Sequence, residues 1–344
     1  MEWVRAFGPI GKSSNRLTPT LSPNGERERT EFVAQVVARP QTATAIRTCL
    51  RLRPVQLIVN ITVLAAIYAL LACGYVLIYR VSRVMNMAHG ELAMLGAYLL
   101  YTTAALFTEH PVTAVFAAVV LSLTVGGLVY VLLMRKMTGQ MVLAAILATI
   151  AIGILLRGLV VLIWSAAQQH PLQALKFTNP SIELIGGARI STCAALIVLA
   201  TMLVYGGLFV FLRYGRWGMR LRATGQNALL AAQRGINLDA IYALAWALST
   251  FTGSVAGMLI ALDSGLDQTM VVIGLKAFAP ALVGGLDSLL GALVGAVIVA
   301  AAEVFAIHYV DPLLSDVVPF LVLIFALILR PWGLFGTREE LDRV

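Results

Sequence analysis

The sequence predicts an all-α polytopic membrane protein, a bundle of about eight or nine transmembrane segments that includes one broken or re-entrant helix. Three observations predict it. Of the 344 residues, 60% are hydrophobic and only 12% charged, and the mean hydropathy is +0.88, far from the soluble balance of about half apolar and a quarter charged. Apolar runs near twenty residues long recur along the chain, roughly the length that crosses a bilayer core. Nothing alternates with the period that barrel strands need, so the runs are helices, in which each backbone group finds its partner inside the segment.

The elements follow in order. Residues 1–54 stand apart: "GPIGKSSNRLTPTLSPNGERERTEF" is polar and rich in Pro, Ser, Asn and Arg, with no apolar core of the kind a secretory signal has. The expectation here is a disordered tail. "LTPTLSPNGERE" also resembles the translation of a repeated intergenic element, so two readings stand, an ordinary cytoplasmic tail or a non-native extension with the start between Val36 and Val55. Apolar runs then cover 55–79, 87–107, 111–134, 141–164, 190–212, 240–262, 270–286, 288–307 and 317–330. Residues 337–344 form a short cytoplasmic tail.

The second run carries an anomaly. "VMNMAHGELAMLGAY" (84–98) places Asn86, His89 and Glu91 around Gly90 in an otherwise apolar stretch. An ionised side chain at membrane depth costs about 2.5–3.5 kcal/mol on insertion scales, so such groups face a cavity or a partner. Gly90 is the expected point of a helix break, and broken helices present backbone groups to substrates in transporters. The other reading keeps Arg83 and Glu91 wet in the interface as structural groups, and a third has the motif pinning the broken segment.

Charge sets the orientation. The segment 213–239 carries Arg213, Arg216, Arg220, Arg222 and Arg234 against Asp239 alone, whereas 263–268 and 308–316 carry only aspartates and one histidine. The arginine segment therefore faces the cytoplasm. Threading outward places "RKMTGQ" (135–140) and the chain after Arg330 inside. With every run a full span the basic N-terminus would lie outside, against the rule; one broken segment between Arg80 and Tyr101 restores it. Within the arginine segment, Asn227 is a helix-start signal, Ala228, Ala231 and Ala232 give a small-residue face, and Gly235 is a stop. A short helix of about two turns is expected. The pairs Gly253/Gly257 and Gly291/Gly295 have the spacing of close helix packing.

Several chemistries are excluded. The net charge of +8 gathers in inter-helical segments, as membrane orientation requires, so nucleic-acid binding is not expected. Cys49, Cys73 and Cys193 lack metal spacing. His89, His110, His170 and His308 lie in different regions with no His-Glu-x-x-His pattern, so no catalytic residue, metal or cofactor is expected. No phosphate-loop spacing of glycine, lysine and hydroxyl occurs.

Four stretches, "GYVLIYRVSRVMNMAHGELAMLGAY" (74–98), "RATGQNALLAAQRGINLDAIYALAWALSTFTGSVAGMLIAL" (222–262), "GLKAFAPALVGGLDSLLGALVGAVIVAAAEVF" (274–305) and "RPWGLFG" (330–336), resemble the permease subunits of the branched-chain amino acid ABC importers, a family that includes urea importer permeases. The similarity runs in order from about residue 57 to 336 and stops before residue 50. "GGLDSLLGA" departs from the family pattern of glycine and proline at Asp287 and Leu290. The resemblance implies an inner-membrane permease that works with separate ABC ATPase subunits, a homologous second permease and a periplasmic substrate-binding protein. It implies that 224–236 is the coupling helix, docking on the ATPase through Asn227, Ala231, Ala232 and Gly235. Its implied cargo is branched-chain or other small amino acids, with urea or short amides as the alternative. From the residues alone, a self-sufficient secondary transporter or channel using His89 and Glu91 as a relay also stands.

Overall fold

A computed structural model describes residues 40–336 apart from 108–109, 138–139, 176 and 184–186. The chain divides into Met1–Arg53 and Pro54–Val344. Of the first unit only a helical backbone from Pro40 is described, so most of the expected N-terminal tail, like the 337–344 tail, lies outside the described residues.

The second unit is helical almost throughout. It begins within α1 (Pro40–Ser82) and continues through α2 (His89–Leu106) and α3 (Pro111–Met137), the latter carrying a π-helical turn at Tyr130–Met134. Next come α4 (Val142–Trp164), the short α5 (Pro171–Ala174), and an antiparallel hairpin of β1 (Ser181–Glu183) and β2 (Arg189–Ser191) with Ile182 opposite Ile190. Then follow α6 (Thr192–Tyr214), α7 (Arg216–Gln226), α8 (Ala228–Gln233) and α9 (Leu238–Ser264). The chain ends with α10 (Met270–Lys276), α11 (Phe278–Gly284), α12 (Leu289–Tyr309), a 3-10 turn at Pro312–Asp316, and α13 (Val318–Leu329).

Among the described residues, six helices are long and apolar enough to cross a membrane: Pro54–Ser82, α3, α4, α6, α9 and α12. The other apolar runs are irregular. The run at 87–107 starts late, as the 18-residue α2. The run at 270–286 splits at Ala277 into α10 and α11. Pro280 explains that split, because it has no N–H for the Lys276 carbonyl and its ring crowds the preceding turn. The run at 317–330 yields the 12-residue α13, which spans about 18 Å, well short of a hydrocarbon core of about 30 Å. One irregular segment was expected; three are found, because apolarity sets burial in lipid without setting helix length.

The core is centred on α1. Ala69, Leu70, Ala72 and Cys73 are fully buried and pack with side chains of α6, α9, α11 and α12. α2 packs chiefly against α9, and also against α3, α10 and α4. Large apolar side chains such as Leu162 and Ile154 point outward. In water such a surface would aggregate; in lipid it is the solvent-matched face.

Candidate functional site

The junction between α1 and α2 differs from its expected form. The helix breaks over Arg83–Ala88 and resumes at His89, so Gly90 lies inside the first turn of α2 rather than at the break. The stop comes from Arg83, whose φ of 54° is left-handed, while its N–H still reaches the Tyr79 carbonyl at 2.8 Å. Gly90 serves closeness instead: a methyl there would stand 3.0 Å from the Val271 carbonyl and 3.3 Å from Gly274 Cα.

Each polar residue of the motif has its own neighbour. Asn86, buried, accepts from the Ala88 N–H through Oδ1 at 3.1 Å, which closes the turn before α2. The Met87 N–H is taken by Thr149 Oγ1 of α4 at 3.1 Å. His89 is fully buried, shares a 3.3 Å hydrogen bond with Ser249 Oγ, and stands edge-on to Tyr75 with ring centres 4.6 Å apart. Its ring fills the space between Gly74 of α1 and Gly253 of α9; a methyl at Gly253 would stand 2.8 Å from Cε1, and one at Gly74 would overlap the ring. Glu91 points elsewhere, accepting from Arg157 of α4 at 3.0 Å, with Gly153, one turn earlier on α4, leaving room for its carboxyl group. Asn86, His89 and Glu91 thus anchor one junction to three surroundings and do not converge on one ligand.

The arginine segment forms two helices. α7 is joined at Asn227 to α8, where the Asn227 side chain accepts from the Leu230 N–H at 3.0 Å. Gly235 ends the unit with φ 79° and open space around its Cα. The expected small-residue face needs correction. Ala231 is buried against its own chain, while Leu229, Leu230 and Ala232 face outward. The amphipathic period of a short helix is ambiguous from sequence, and the burial of Ala231 resolves which face turns inward. α7 is tied back to the break: Arg83 donates to the Gly225 carbonyl at 3.3 Å and to Asp287 at 2.8 Å.

The remaining predicted glycines lie at helix crossings. A methyl at Gly257 would overlap the Ala93 carbonyl of α2, and methyls at Gly291 and Gly295 would overlap the carbonyls of Gly284 and Pro280.

Sequence reasoning missed a buried ion cluster. Lys276, at the α10–α11 split, donates to Glu303 of α12 at 3.0 Å and to Asp316 at 2.8 Å, and Tyr68 of α1 donates to Glu303 at 2.5 Å. Lys276 and Glu303 are both buried. The signal was present, a lysine and a glutamate each alone inside an apolar run, as was Arg157 in the run that forms α4.

The described residues thus form a multi-helix apolar bundle with broken segments and an arginine-rich helical pair. The family described as the branched-chain amino acid transport system / permease component matches residues 57–327. The chain belongs to that family. The permease is 29% identical over 304 residues to the high-affinity branched-chain amino acid transport system permease protein LivH of Salmonella typhimurium, covering 84% of this chain and 97% of that protein. It is equally similar, with the same coverage, to the permease protein BraD of Pseudomonas aeruginosa. It is 27% identical over 282 residues to the probable LivH of Methanocaldococcus jannaschii, covering 78% and 88%. No solved structure matches the permease.

Proposed function

We propose that the chain is the membrane-spanning subunit of an ATP-driven importer that moves branched-chain or other small amino acids across a bacterial inner membrane. The observation that carries this reading is the family match over residues 57–327, supported by relatives named for branched-chain amino acid transport. ATP is hydrolysed by separate nucleotide-binding subunits, a homologous permease completes the pathway, and a periplasmic binding protein delivers the cargo. α8 is the coupling helix, presenting Leu229, Leu230 and Ala232, with Asn227 capping it and Gly235 ending it. Arg83 bonds both Gly225 of α7, the helix joined to α8 at Asn227, and Asp287, so a displacement of α8 carried through α7 is passed to the α1–α2 junction and to the turn before α12. Asn86, His89 and Glu91 hold that junction in register while it moves.

The test is reconstitution of the permease with an ABC ATPase, a homologous second permease and a periplasmic binding protein of the same organism. Expected is uptake of labelled leucine that requires both ATP and the binding protein. Uptake of urea in place of leucine reassigns the cargo to amides. Accumulation driven by an ion gradient without ATP overturns the reading in favour of a secondary carrier.

A further inference from the structure

Between the α1–α2 junction and α7 lies a cavity of about 990 Å³. Arg80, Arg83 and Arg222 line it, and among the described residues the only lining carboxylate is Asp287, which bonds Arg83. Two of the guanidinium groups are held in place by the chain itself. Arg83 donates to the Gly225 carbonyl, and Arg222 donates to the carbonyls of Leu212 and Arg213. Thr224 lines the same cavity; it is 2% exposed, and its hydroxyl has no partner among the described residues. A buried hydroxyl left unpaired is destabilising, and beside three cations an anionic oxygen would supply the partner it lacks.

We infer that this cavity binds a phosphate group, presented by an anionic phospholipid headgroup or free in solution. A phosphate has several acceptor oxygens, enough to meet guanidinium forks and a hydroxyl together. Arg80 and Arg83 stand at the end of the apolar span Pro54–Ser82, the depth of a headgroup, and basic pockets between transmembrane helices at the cytoplasmic face are typical lipid-headgroup sites. α7 favours lipid over a protein carboxylate as neighbour. It exposes Trp217 and Met219, with Arg220 lying 5.1 Å over the Trp217 ring, the composition of a helix seated in the membrane interface. The site stands whatever the cargo is.

The full-length chain, purified in maltoside detergent, is titrated with phosphatidylglycerol, phosphatidylcholine of the same acyl chains, or inorganic phosphate. Unfolding temperature and lipid retained in native mass spectrometry are read together. Expected are a raised unfolding temperature and retained lipid with phosphatidylglycerol, and no response to phosphatidylcholine. A response to inorganic phosphate alone keeps the site and assigns it a soluble anion. Thr224→Val should weaken binding about tenfold, the value of one hydrogen bond to a charged group, without lowering the unfolding temperature of the ligand-free chain. Arg80→Gln should weaken it by at least as much. No response to any of the three probes, or unchanged binding in both variants, overturns the site. So does unchanged lipid binding by Arg80→Gln together with loss of the ATPase from the co-purified complex, which would assign the cavity to a protein carboxylate.

Discussion

His89 fills a slot that two glycines leave open, and Glu91 fills another opened by Gly153. Adding one methyl at Gly74 drives it into the imidazole, an overpacking that costs about 1–3 kcal/mol in a dense core. Gly74→Ala should therefore lower the unfolding temperature of the purified permease, and His89→Ala in the same chain should restore part of it by vacating the slot. A Gly74→Ala chain as stable as the parent would show that the ring has another place to go. Glu91 separates charge from shape. Glu91→Gln keeps an acceptor for Arg157 and should assemble normally, losing transport only if the charge itself matters. Glu91→Leu strands the Arg157 cation, at about 2.5–3.5 kcal/mol on insertion scales, and should reduce folded yield on size-exclusion chromatography. Replacing both, Glu91→Leu with Arg157→Leu, should recover that yield, because a pair exchanged for apolar groups loses no partner.

At the scale of elements, α8 is a six-residue helix too short to persist by its own propensity. Its cap and its stop therefore matter more than its length. Asn227→Ala removes the bond to the Leu230 N–H, about 1 kcal/mol, and should raise amide exchange across 228–234 while leaving α9 protected. The outward leucines test the dock. Leu229→Gln with Leu230→Gln should leave insertion and unfolding temperature unchanged, since both side chains are exposed, yet cut transport-coupled ATP hydrolysis in the reconstituted complex severalfold. Normal coupling in that variant would remove α8 from the interface. Gly235→Trp belongs to the same test: no neighbour crowds the position, but φ 79° strains any bulky residue, so lost coupling there must be compared with the leucine variant.

For the molecule as a whole, the Lys276–Glu303 pair joins α10, α12, α1 through Tyr68, and the 3-10 turn through Asp316. Lys276→Leu leaves the Glu303 carboxyl buried without its cation, a loss of about 3–5 kcal/mol, and should abolish recovery of folded permease. Lys276→Leu with Glu303→Leu should restore part of it, since the buried Tyr68 hydroxyl still loses its acceptor. The hydrogen bond and charge of Lys276 hold the Asp316 carboxyl below its ordinary range. A depressed carboxyl stabilises the fold fully above its unfolded value and loses that contribution as pH falls through the folded one. Asp316→Asn should accordingly flatten the acid side of the stability profile below about pH 4, as read by thermal unfolding across a pH series.

Composition and run length alone determined that this chain lives in a bilayer as helices, because lipid offers the backbone no other solution. Charge asymmetry marked the arginine segment, and Asn227 and Gly235 marked the bounds of α8, since caps and stops are local chemistry. Only the tertiary structure decided where the first junction breaks, at Arg83–Ala88 rather than Gly90, and that the 270–286 run is two helices. It alone turned Ala231 inward, paired Glu91 with Arg157, and brought Lys276 to Glu303. Each of those outcomes depends on which face of one helix meets which face of another, and a sequence with apolar residues all round its helices carries no periodic signal to say so.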